Sequence, residues 1–334
     1  MKAVGYKTPR PISDAEALID FETAKPAPQG RDLLVKVMAV AVNPVDTKVR
    51  RNMAPADGST RILGFDAAGI VEAVGPEATL FKPGDAVFYA GDLTRPGTNA
   101  EFHLVDERIA GMKPQSLDFP ATAALPLTAI TAWEMLFHRF GLTRDSRGSI
   151  LIVGGAGGVG SIAVQLARQL TGLTVLATAS RPETRDWVKQ LGAHHVIDHS
   201  QPMPDQIKAL GLAGVEYIFS TTETAQHLPA IVEMIAPQGR FGLIDDPATL
   251  DINPFKRKSI AVHWEFMFTR SMFQTADMQA QHDLLNEVAR LVDAGTLRTT
   301  LAEVLGPINA ATLRKAHAAI ESGRTRGKLV LAGF

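Results

Sequence analysis

Cysteine is absent from all 334 residues. That excludes disulfides and every thiolate-based metal site, and it suits a reducing compartment such as the cytoplasm. Net charge is nearly absent as well, since 34 basic against 35 acidic side chains leave a formal −1. No bulk field draws in nucleic acid or an anionic membrane, and neither is expected as a partner. The start, Met1-Lys2-Ala3-Val4-Gly5-Tyr6, lacks the apolar stretch of a secretion signal. The uncharged stretch from Ser149 to Ala167 has the length of a membrane span, but it is dense in glycine and changes period from strand-like to helical halfway along. A buried strand-turn-helix unit explains it better. The chain is 46% apolar and 21% charged, a globular balance, and its length suits two domains.

That stretch holds the strongest motif. The apolar run Ser149-Ile150-Leu151-Ile152-Val153 leads into Gly155-Ala156-Gly157-Gly158-Val159-Gly160, and a helical pattern follows through Ile162, Ala163, Leu166, Ala167 and Leu170. This is G-x-G-x-x-G at a strand-to-helix turn. Its glycines allow a tight turn, approach of backbone to a pyrophosphate, and close helix–strand packing, while the helix N-terminus offers N–H groups to phosphate.

The first third reads as β-rich. Leu33 to Val42 is a long apolar strand pattern, and Ala67 to Val74, Ala86 to Ala90 and Glu101 to Val105 are shorter ones. Loops rich in Pro, Gly and Asp separate them, as over 51–60 and 91–99. Ala121 to Phe137 is helical in pattern, interrupted at Pro126. From Ser149 strands and helices alternate: strands at 174–178, 195–197, 215–220, 239–244 and 259–264, with helices at 181–190 and 224–235. Such alternation predicts a parallel sheet covered on both faces. Helices over 281–293 and 310–321 and a final strand at Gly327-Lys328-Leu329-Val330-Leu331 complete the chain. The expected fold class is α/β, with a β-rich domain over 1–124 and 268–334 and a doubly wound domain over 125–267.

Sites that bind NAD place an acid near the end of the second strand, where it holds the ribose 2′-hydroxyl. Here that strand ends Thr178-Ala179-Ser180-Arg181, without an acid. Ser180 can hydrogen-bond a 2′-phosphate and Arg181 can pair with it, and Arg185 stands one helical turn on. The expected cofactor is therefore NADPH. The competing reading leaves Arg181 and Arg185 facing water. Thr221, after the strand at 215–220, is expected at the strand ends that line the ligand crevice. Gln165, on the fingerprint helix, reads as a solvated or capping polar residue, and His194, His195 and His199 as lying at a domain edge. His263-Trp264-Glu265 has the H-x-E of a deaminase without that chemistry's cysteines.

The chain resembles the medium-chain dehydrogenase/reductase superfamily, on Val42-Asn43-Pro44-Val45-Asp46, Gly64-Phe65-Asp66-Ala67-Ala68-Gly69, Pro126-Leu127-Thr128-Ala129, the glycine fingerprint and Gly327-Lys328-Leu329-Val330. Within it the chain looks like the quinone oxidoreductase (zeta-crystallin-like) branch, and in particular a bacterial subgroup labelled zinc-type alcohol dehydrogenase-like. The resemblance implies a GroES-like catalytic domain, a Rossmann domain and a C-terminal return, with the active site in the cleft between domains and a dimer or tetramer as the assembly. It places Thr128 near the nicotinamide or its phosphate and Asp66 at the edge of the active site. Metal-using relatives hold zinc with a cysteine where this chain has Asn43 and with a histidine where it has Phe65, so a catalytic zinc is not expected here.

Without a Lewis acid, reduction of a quinone or an α,β-unsaturated carbonyl is easier than alcohol oxidation, because the charge that moves to oxygen then needs only a hydrogen-bond donor. Asn43 has an amide suited to that, or to positioning the cofactor carboxamide, and Tyr89 is a candidate proton donor. Lys48 stands where many quinone reductases have tyrosine, and either replaces it or faces solvent. Asp46 tunes a neighbour or caps a helix at Thr47. The alternative to a reductase is an NADPH-binding sensor or scaffold with little catalysis. The aromatic segment Val262 to Phe268 is expected in part at a subunit interface.

Overall fold

The computed structural model describes residues 1–55 and 58–334. Ala56 and Asp57, inside the loop expected over 51–60, lie outside the described residues. The chain divides into two compact units, one of residues 1–130 with 268–334 and one of residues 131–267. The division falls within a helix, somewhat beyond the boundary expected at 124/125.

The first unit begins with strands β1 (Lys2–Tyr6), β2 (Ile19–Glu22) and β3 (Asp32–Ala41), then helix α1 (Pro44–Asn52). β4 (Arg61–Ile62), β5 (Ala67–Val74), β6 (Ala86–Tyr89), β7 (Phe102–Asp106) and β8 (Ala110–Met112) follow. Helices α2 (Phe119–Ala123) and α3 (Pro126–Trp133) lead out of it. β3 is the hub of the larger sheet. Its β-branched and leucine side chains are buried, and it pairs antiparallel with β5 and β7. α1 was not legible as a whole. Asn43 is its N-cap and Pro44 opens it, so Asp46 is not the cap of a helix at Thr47 but lies one turn inside.

In the second unit α3 runs on into one turn and a half of π-helix, Glu134–Arg139. Then come β9 (Ser149–Val153), α4 (Gly158–Leu170), β10 (Thr174–Thr178), α5 (Pro182–Gln190), β11 (His195–Ile197), α6 (Met203–Ala209), β12 (Val215–Ser220), α7 (Thr224–Met234), β13 (Ile235–Leu243) and β14 (Ala261–Trp264). The six strands are all parallel, in the order β11-β10-β9-β12-β13-β14. β9 is buried along its whole length, as a central strand covered on both faces must be. Leu151, Ile218, Phe241 and Leu243 form one apolar core with Ile231 and Met234 of α7. The chain winds one way from β9 to β10 and β11, and the other way through β12. That makes the β9/β12 boundary a topological switch point, where open α/β sheets leave a crevice at the strand C-termini.

The chain re-enters the first unit through α8 (Thr269–Phe273), α9 (Ala280–Asp293), β15 (Leu301–Val304), α10 (Ala310–Glu321) and β16 (Lys328–Ala332). β16 lies antiparallel to β3, with Val330 opposite Ala41 and Leu331 opposite Val40. Asn309 caps α10, its side chain accepting from Thr312 N at 2.9 Å. This return pairing carries the C-terminal strand to the first turn of α1.

Candidate functional site

In the second unit the glycine motif forms the turn between β9 and α4. A Cβ on Gly160 would stand 2.2 Å from Gly154 O and 2.7 Å from Gly155 Cα, so only glycine lets the helix start so close to the turn. A Cβ on Gly155 would stand 2.8 Å from Ala177 Cβ of β10. Above Gly157 nothing comes nearer than 3.4 Å. Gly157 is the N-cap of α4, and no side chain caps the helix there. Ala156 completes the loop, and Gly158 and Val159 open α4. Two faces of the turn are packed and one is open toward a helix N-terminus, where unpaired N–H groups can meet an anion.

Thr221 follows β12, and its hydroxyl donates to Val153 O at 2.8 Å, tying the ends of the two switch-point strands together. Ser180 and Arg181 follow β10. Ser180 Oγ lies 3.3 Å from His199 Nε2. Arg181 caps α5 in an extended conformation and pairs through Nε with Glu183 at 3.0 Å, while Arg185 faces Asp198 at 3.9 Å. These half-exposed pairs are cheap to exchange for a phosphate. The structure thus brings Ser180, Arg181 and Arg185 to one end of the sheet and adds His199. The sequence alone places His199 at a domain edge, because its contact with Ser180 depends on β10 and β11 being neighbours. His194 has a structural task, its Nδ1 accepting from Val175 N at 2.9 Å. His263 lies on β14 with its ring edge-on to Phe140. Gln165 is buried, and its Nε2 donates to Ser161 O.

In the first unit Asn43, Asp46, Asp66 and Lys328 form a buried polar cluster. Asp46 Oδ2 accepts from Asn43 N at 2.8 Å and Oδ1 from Gly64 N at 3.0 Å, so this carboxylate staples the start of α1 to the loop before β5. Burial pushes Asp46 up to about 7. Asp66 is raised as well, by burial, against the pull of Lys328. Asp66 Oδ1 accepts from Leu127 N at 2.7 Å, and Oδ2 from both Asn43 Nδ2 and Lys328 Nζ at 2.8 Å. The Lys328 ammonium also donates to Val42 O at 3.1 Å and to Asn43 Oδ1. Thr128, in α3, is buried with its hydroxyl donating to Leu125 O at 3.1 Å.

Two expectations need correction. The Asn43 amide is not a free donor, because its hydrogens go to Asp66 and, at 3.5 Å, to Ala41 O. Tyr89 is not one either. Its ring is buried and stacks on His103, whose Nε2 donates to Pro96 O at 2.9 Å. His103 Nδ1 is thereby left to accept from the Tyr89 hydroxyl at 3.2 Å. Desolvation raises the phenol far above its ordinary range and lowers His103 to about 4. Both residues end in a β-sheet interior that no local pattern marks. Lys48 is exposed on α1.

Zinc does not fit this cluster. Asn43 offers an amide already bonded, and Phe65 packs its ring edge-on to Phe268, 5.4 Å between centroids. Asp66 is already paired with the Lys328 ammonium, 2.8 Å from its Oδ2. Among the described residues no group of three His, Asp or Glu side chains is arranged to hold a metal ion.

Comparison with known proteins agrees with this architecture. Residues 29–115 match the alcohol dehydrogenase GroES-like domain and residues 191–331 the zinc-binding dehydrogenase family. A zinc-type alcohol dehydrogenase-like protein of Staphylococcus aureus (strain MSSA476) is 40% identical over 99% of each chain. The quinone oxidoreductase of Sus scrofa is 34% identical over 94% of this chain and 92% of its own. A solved structure from Rhizobium etli CFN 42, described as a candidate zinc-dependent alcohol dehydrogenase, is 61% identical with a TM-score of 0.97, covering 100% of this chain and 98% of that one. The chain belongs to the medium-chain dehydrogenase/reductase superfamily of oxidoreductases. Its two units are the GroES-like sheet domain and the Rossmann domain of that fold. Among the described residues no helix is long and apolar enough to cross a membrane.

Proposed function

We propose that the protein is a cytoplasmic, zinc-independent reductase that uses NADPH to reduce quinones or α,β-unsaturated carbonyls. The observation that carries the cofactor reading is the open glycine turn at the switch point, with Ser180 and Arg181 after β10 and no acid at that strand's end. Gly155, Gly157 and the start of α4 would hold the pyrophosphate, Ser180, Arg181 and Arg185 the 2′-phosphate, and Thr221 the ribose on the nicotinamide side. Bound NADPH supplies a hydride. The acceptor class follows from similarity to quinone oxidoreductases and from a polar cluster with no seat for a Lewis acid. On the family resemblance, Thr128 and Asp46 belong to the nicotinamide end, Asn43 acts through the fixed cluster, and Lys48 is the proton donor that replaces the tyrosine of related reductases. We also propose a homodimer, or a tetramer built from it, assembled through the edge strand β14, where Trp264 is 54% and Phe266 47% exposed.

Oxidation of NADPH followed at 340 nm with 1,4-benzoquinone or an enone, against the same assay with NADH, tests the activity. No turnover across a panel of such acceptors refutes it. In Arg181→Ala the affinity for NADPH is expected to fall about tenfold or more, with NADH little changed; equal effects would make Arg181 a surface residue. The inward commitment of the Asn43 and Tyr89 hydrogens favours a second reading, an NADPH-binding sensor with little catalysis, and binding without turnover would support it.

A further inference from the structure

We propose that Lys328 is a positioning residue of the reductase site: its buried ammonium serves as the built-in cation of the cluster, pairing with Asp66 and fixing which way the Asn43 carboxamide faces. The inference rests on the reductase reading for its activity arm only.

The three hydrogens of an ammonium point tetrahedrally, and Lys328 has three acceptors: Val42 O, Asn43 Oδ1 and Asp66 Oδ2. Asn43 meets Lys328 through its oxygen and Asp66 through its nitrogen. Turned over, the amide would set NH₂ against the ammonium and C=O against the carboxylate. The charge pair thus admits one orientation. Asp66 in turn accepts from Leu127 N at the first turn of α3, and Asp46 from Asn43 N at the first turn of α1. One lysine therefore ties together the starts of two helices and β16. The cluster holds two carboxyl groups and one cation, all buried, so removing the cation leaves Asp66 with no compensating charge. Arginine is a poor substitute, since its flat fork cannot meet three acceptors arranged around a point.

The test compares the wild type with Lys328→Met and with the double variant Asp66→Asn/Lys328→Met, measuring thermal midpoint, NADPH affinity by fluorescence, and kcat with 1,4-benzoquinone. Lys328→Met is expected to lose about 10 °C in midpoint, and the double variant to recover most of it, because the unpaired carboxylate is gone. Both variants are expected to bind NADPH within about threefold of the wild type and to lose about 100-fold in kcat, since the Asn43 carboxamide is no longer held. If Lys328→Met is insoluble, the double variant decides alone. A double variant that is insoluble or as active as the wild type overturns the proposal, as does a soluble Lys328→Met with unchanged midpoint and kcat. An inactive wild type refutes the reductase reading instead, and the recovery of midpoint then judges the charge pairing by itself.

Discussion

Ionising Glu265 is expected to weaken the Rossmann unit, and Glu265→Gln to remove most of that weakness. Glu265 follows β14 and is only 3% exposed. Its Oε2 accepts from Arg139 Nε at 2.7 Å, and Glu134, at the start of the π-helical turn, is buried beside it. Burial first, and then the facing Glu134, push the Glu265 carboxyl up to about 8. A proton held to about pH 8 in the fold but only to about 4.5 in the unfolded chain stabilises the fold. That contribution is complete below pH 4.5 and drains away as pH rises through 8. Each unit is worth about 1.4 kcal/mol, so the climb from pH 6 to pH 8 costs at most about 3 kcal/mol, or about 8 °C in midpoint. The glutamine side chain does not titrate, keeps an oxygen for Arg139 and donates to Glu134. Thermal melts of both proteins from pH 5.5 to 9 read the difference. Asp46, pushed up to about 7, adds a slope of the same sign from the other unit in both proteins, so the gap between the curves is diagnostic. Parallel curves would refute the reasoning.

Three further outcomes are expected. Gly160→Ala forces a Cβ into Gly154 O, and should cost about 2 kcal/mol in urea unfolding and about tenfold or more in cofactor affinity; an affinity unchanged in a folded variant would deny the turn its role. Asp46→Ala strands the buried N–H groups of Asn43 and Gly64, and should cost about 3 kcal/mol, read from the urea midpoint. Trp264→Lys puts a charge on the exposed edge at β14, and should shift the proposed dimer to monomer in sedimentation at micromolar concentration, with the far-ultraviolet spectrum retained.

The Rossmann unit was readable because its signals are local. β10, β11 and β12 fall on the expected residues, and in the other unit α10 spans 310–321 as its periodicity predicts. α1 was hidden because its cap, Asn43, sits at the end of a long apolar strand and its first residue is proline, a pair that also reads as a loop. β15 and the pairing of β1 with β2 and β4 depend on partners distant in sequence, so short segments there carry too little pattern. Tyr89 looked available at the end of a strand, and the neighbour that occupies it, His103, arrives from β7.

Alternation, glycine spacing and the missing cysteines are properties of a few consecutive residues, and they alone determined the class of fold, the glycine turn before α4 and the exclusion of thiolate metal sites. The tertiary structure decided the state of the polar cluster. Lys328 and Asn43 are 285 residues apart, and they meet because β16 pairs with β3. Only that pairing, and the burial that comes with it, sets which carboxylate has a cation and which amide is engaged, because desolvation and charge act through space and not along the chain.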